Sequence, residues 1–119
     1  MTPPESTFVR LLVALEEFAA QESLQLAAGQ VAAVREIQER AAPLVAELVR
    51  LGRLAIPAEV HARLVTLVNC RLQNQELMDR QIDRLRDTLG QTQANLRRIE
   101  QIAPVYGRQA KPGLTRAVA

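Results

Sequence analysis

The chain holds one histidine, His61, and one cysteine, Cys70. A general base needs a partner that positions it. His61 follows Val60, one residue off an apolar seam, and reads as a surface side chain. Cys70 has no evident activating partner and reads as a small, partly buried side chain. A Cys/His cluster for zinc is absent. Glu36 with Arg40, Asp79 with Asp83, Asp83 with Asp87, Arg80 with Arg84 and Asp83 with Arg86 stand three or four residues apart. That spacing describes a solvated, mixed-charge helix face, worth a few tenths of a kcal/mol per opposite-charge pair. A carboxylate-bridged metal site would pair inward Glu with Glu-x-x-His. Neither that pattern nor a glycine-rich phosphate loop occurs. The expectation is a protein without catalytic residues, metal or cofactor, and not an enzyme.

Two polar residues matter more. Arg71 and Asn74 occupy seam positions where Leu is expected. They either set the register of helix packing or open the seam to a partner. The first role is the better attested for buried polar seam residues.

The elements that carry these residues are helical. Of 119 residues, 48% are hydrophobic but only 3% aromatic. Leu, Val, Ala, Arg, Glu and Gln dominate, and most of these favour helix. Residues 1–5, with Pro3 and Pro4, form a lead-in, and Ser6 or Thr7 caps a first helix. Phe8, Leu11, Leu12, Leu15, Phe18, Ala19 and Leu26 share one face. Gly29 stops or kinks it. Val34, Ile37, Ala41, Leu44, Leu48 and Leu51 alternate steps of three and four, a coiled-coil seam. Pro43 lies inside that pattern and predicts a bend over 39–42. Gly52 ends the second helix. Pro57 opens a third at a favoured first position. Val60, Leu64, Leu67, Arg71, Asn74 and Met78 form its seam. Ile82, Leu85, Leu89, Thr92, Leu96, Ile99 and Ala103 continue it after a one-residue shift, and Pro104 closes it.

The fold class is therefore all-α, with two shorter helices packed against one long helix. The third helix of about 47 residues spans roughly 70 Å, as do the first two end to end. These lengths predict an antiparallel helical hairpin, or coiled coil, over residues 1–103, followed by a flexible basic tail over 104–119. The alternative is a three-helix bundle, with the first helix folded back at Gly29 and half of the third projecting. Val45, Val49, Val65, Val68 and Leu72 lie off the main seams. The hairpin leaves them as an exposed strip suited to a partner, whereas the bundle would cover them with the first helix.

Fifteen bases against thirteen acids give a formal charge of +2, but Arg108, Lys111 and Arg116 all lie in the tail, which has no acid. The remainder is nearly neutral, without the dense basic stripe of a nucleic-acid binder. The run from Phe8 to Leu15 is interrupted by Arg10 and followed by Glu16 and Glu17, unlike a signal peptide. No segment suits a membrane span. A cytoplasmic location is expected.

In the third helix, Leu67-Val68-Asn69, Leu72-Gln73-Asn74 and Leu77 resemble the Asn-rich stretch of FlgN-type flagellar chaperones. Val105-Tyr106-Gly107-Arg108-Gln109, followed by Gly113, resembles the aromatic-glycine segment that ends the long helix in that family. The motif-like likeness covers about 45 residues. Pro43 and 110–112 depart from the pattern. The resemblance implies a chaperone that holds the terminal segment of hook–filament junction proteins and delivers them to the type III export apparatus. It also implies contacts on the far half of the third helix and the tail: Leu85, Leu89, Leu96, Ile99, Ile102 and Tyr106. For the first five, seam spacing is first a packing signal, so burial against the first helix is expected. The alternatives are a structural coiled-coil protein, monomeric or a weak homodimer closing on the Val45/Val65/Val68 strip, and a small Arg-based nucleic-acid binder, which the neutral body disfavours.

Overall fold

Thr2 starts the first helix. Its hydroxyl accepts from Glu5 N at 3.4 Å, with Pro3 and Pro4 in the first turn, where proline's missing N–H is harmless. The prolines thus begin α1 (Pro3–Ala27), and the cap lies upstream of Ser6 and Thr7. The computed structural model describes residues 2–107, with side chains described for 2–102. α2 spans Val31–Gly52, a 3₁₀ turn spans Ala58–Val60, and α3 spans His61–Gly107. Pro57 precedes the 3₁₀ turn and is not the first residue of α3. Helix α2 continues through Pro43, and α3 continues past Pro104. Of the tail expected over 104–119, residues 104–107 belong to α3 and 108–119 lie outside the described residues.

Gly29 makes the turn between α1 and α2. Its φ of +72° is the left-handed conformation that a helix-ending turn requires. Gln30 N donates to Gln25 O and Gly29 N to Leu26 O, the paired hydrogen bonds of a Schellman motif. Nearby, Gln81 Nε2 donates to Leu26 O at 2.7 Å. The chain therefore reverses, and α2 runs antiparallel alongside α1.

The expectation of two shorter helices against one long helix holds, but they are not joined end to end. Phe8, Leu12, Leu15 and Ala19 of α1 share a core with Ala41, Leu48 and Leu51 of α2 and with Val60 and Leu67. A second core of Leu26, Val34 and Met78 lies near the α1–α2 turn. This is the folded-back three-helix bundle. A nearly continuous apolar face on α1 needs two neighbouring helices to cover it, and an end-to-end α1–α2 rod would supply only α3.

Contacts divide the chain after Ile82. The bundle is the unit before that point. In the unit that begins at Asp83, every helical residue through Ile102 is exposed.

Candidate partner-docking site

On α2, the residues that follow the main seam by one position turn about 100° away from it. Val45 and Val49 therefore form a second apolar stripe beside Leu44 and Leu48. On α3, Val68 and Leu72 do the same beside Leu67 and Arg71. Because α2 and α3 are antiparallel neighbours, the stripes face each other across a groove of ≈ 590 Å³. Phe8, Leu15, Leu48 and Leu67 line its buried floor. Val45, Val49, Leu64, Val68 and Leu72 line its sides. Gly52, Arg53 and Ile56 stand at the α2–α3 turn, and Arg71 and Gln75 stand at the other end. There Gln38 Nε2 donates to Gln75 Oε1 at 3.4 Å, linking the two helices.

Forming the bundle was expected to hide this strip, and it does not. α1 lies across the opposite side of the α2–α3 pair and reaches the groove only through Phe8 and Leu15. Val49, Val68 and Leu72 remain 51%, 49% and 60% exposed. Val65 is also exposed but stands outside the groove lining. Three helices surround one side of each core but leave the α2–α3 furrow without a fourth helix.

Beneath the groove's far end lies a polar layer. Asn74 is buried, and its Nδ2 donates to Ala19 O at 3.2 Å and to Glu22 Oε2 at 3.4 Å. Ser23 Oγ lies 3.0 Å from Ala19 O and 3.1 Å from Asn74 Oδ1, and donates its one proton to either. Half-buried Cys70 is 3.8 Å from Asn74 Nδ2. Glu22 is almost fully buried, and its Oε1 accepts no hydrogen bond. The cation closest to it is Arg71, with Nη1 at 3.8 Å. Asn74 thus takes the register-setting role expected of it, since a shift of one helical turn would strand its amide among apolar side chains. Glu22 escaped the sequence reading because acids are rarely buried unpaired. Its spacing was the available signal: 15, 19, 22 and 26 step by four, three and four.

The residues expected on solvated charged faces, from Glu36 and Arg40 to Asp83 and Asp87, are exposed, and the ion pairs made among the described residues are others. Arg50 clasps Glu47 within α2, and Arg63 clasps Glu16 across α3 and α1. The Arg50 hydrogen bond holds the Glu47 carboxyl below the usual carboxylate range. The same bonds raise Arg50 and Arg63. His61 is exposed. Among the described residues, no group of three or more His, Cys, Asp or Glu is placed to hold a metal ion, and no helix is long and apolar enough to cross a membrane.

Leu85, Leu89, Leu96, Ile99 and Ile102 were expected to be packed. They are 48–57% exposed, so the burial implied by their seam spacing is not made among the described residues. The Tyr106 side chain lies outside the described residues.

No protein-family model matches the chain, and no curated protein or solved structure matches it either.

Proposed function

We propose that this protein is a non-enzymatic, cytoplasmic binder of amphipathic helices that serves as a flagellar export chaperone of the FlgN type. The observation that supports this most is the open apolar furrow between α2 and α3. A helix presenting apolar residues at i, i+3 or i+4, and i+7 would fill it and complete a four-helix arrangement. Arg53 and Arg71 at its two ends favour carboxylates flanking that apolar stripe. The terminal segment of a hook–filament junction protein, unassembled before export, is the client that the family resemblance supplies. Ordering such a segment on binding moderates affinity, which suits a partner that must be released to the export apparatus.

The test is fluorescence anisotropy with labelled terminal peptides of the hook–filament junction proteins from the source organism. Val49→Glu and Leu72→Glu alter exposed groove residues, so they should leave stability within roughly 0.5 kcal/mol. Leu96→Glu probes the far half of α3. Peptide binding lost in the groove variants and kept in Leu96→Glu supports docking in the furrow. The reverse pattern keeps the chaperone reading and moves its contact to the far half of α3. If no junction peptide binds the unaltered chain, the reading fails and a structural coiled-coil protein becomes the better account.

A further inference from the structure

The part of α3 after Ile82 carries a heptad pattern with none of the described residues packed on it. Ile82, Leu85, Leu89, Thr92, Leu96 and Ile99 alternate steps of three and four. Leu85, Leu89, Leu96 and Ile99 are each more than half exposed. A period of 3.5 sustained along one helix is the pattern that a second helix of matching period covers. From the strip's flanking charges we infer that the occupant is a second copy of this chain, lying antiparallel.

Let Ile82, Leu89 and Leu96 be the a positions and Leu85, Thr92 and Ile99 the d positions. The flanking e positions are then Asp79, Arg86, Gln93 and Glu100, and the g positions Gln81, Thr88, Asn95 and Ile102. A parallel pair sets g against e′ five residues on: Gln81 with Arg86′, Thr88 with Gln93′, and Asn95 with Glu100′. None is an opposite-charge pair. In an antiparallel pair, a meets d′ and e meets e′. The register that stacks Leu89 on Ile99′ and Thr92 on Leu96′ sets Arg86 against Glu100′, and symmetry makes that salt bridge twice. Slipping by one heptad toward the bundle sets Asp79 against Glu100′, a repulsion also made twice. It would also set Ile82, which already packs against the core of Leu26, Val34 and Met78, against Ile99′. Flanking charges commonly choose orientation and register in paired helices, and here both charge and free surface choose the same one. The pairing uses no groove residue, so it stands or falls independently of client docking in the furrow.

The experiment uses the full chain. Sedimentation equilibrium should show mass rising with concentration from 13.2 kDa toward twice that value. Arg86→Glu turns two attractions into two repulsions and should weaken self-association roughly tenfold. Adding Glu100→Arg should restore it. Orientation is read by cross-linking in a Cys70→Ser background with a short bis-maleimide. Gln93→Cys faces its own copy in this register and should link. Arg86→Cys should not, because its counterpart lies about 14 residues along the partner helix from Glu100′, or roughly 21 Å. A parallel pair would treat the two positions alike. A constant monomer mass up to millimolar concentration, or equal linking at both positions, would overturn the inference.

Discussion

Replacing Arg71 with Met probes the least ordinary feature of the bundle, a carboxylate sealed in its buried polar layer. The Glu22 side chain is 2% exposed and the Arg71 side chain 30%, so the acid is dry while its cation retains a path to water. Removing Arg71 leaves Glu22 with a single hydrogen bond, the 3.4 Å contact from Asn74. Breaking a buried pair in this way typically costs about 3–5 kcal/mol. Since Arg71 is partly solvated, the lower end applies, about 3 kcal/mol, or a fall in Tm of roughly 10–20 °C. The reciprocal change should be much milder. Glu22→Leu removes the buried charge from this layer, Asn74 keeps Ala19 O as an acceptor, and the Arg71 head can swing outward along its stem. Its cost should be under about 1 kcal/mol, and Glu22→Leu with Arg71→Met should be close to neutral. Urea unfolding followed by far-UV circular dichroism measures all three, with an unchanged m value certifying that the denatured state is the same. Equal losses for the two single variants, or a loss below 1 kcal/mol for Arg71→Met, would refute the claim that this ion pair compensates a buried charge. Because Arg71 also lines the groove, Glu22→Leu frees a cation at the docking face and should strengthen binding of an acidic helix.

Gly29→Ala should destabilise the bundle by about 1 kcal/mol in the same unfolding assay. An added Cβ there meets nothing within 4 Å, so a larger loss would mean that crowding rather than the left-handed φ is responsible. Glu47 carries a pH signature. Its carboxyl is held down by the Arg50 hydrogen bond, so the associated stabilisation is present above the unfolded carboxylate pKa of about 4 and is lost as pH falls through the lowered folded value. Carbon-detected NMR titration of Glu47 should show its midpoint rise on Arg50→Ala; an unmoved midpoint would exclude the hydrogen bond as its cause.

Helix existence and facing were legible in the residues because a 3.6-residue period needs only local spacing to be read. Val34, Ile37, Ala41, Leu48 and Leu51 were expected on the core side of α2, and they are buried there. The off-seam valines were legible for the same reason: Val45, Val49 and Val68 had to lie off the packing seam wherever that seam went. Local turn chemistry was read less well. Pro3 and Pro4 looked like a lead-in until Thr2 was seen capping them, because a proline pair suits either a first turn or an irregular one.

What spacing could not determine was which faces meet. Gly29 signals the end of a helix equally well for an end-to-end rod and for a reversal. The reversal is favoured because α1, apolar around much of its circumference, is buried by two neighbours and not by one. That tertiary choice left the α2–α3 furrow open, drew Glu22 inward against Asn74 and Arg71, and left Leu85 to Ile102 exposed although their spacing is that of a packed seam. Periodicity along a chain names the surface that needs a partner. Only the arrangement of helices in space determines whether the chain supplies that partner itself.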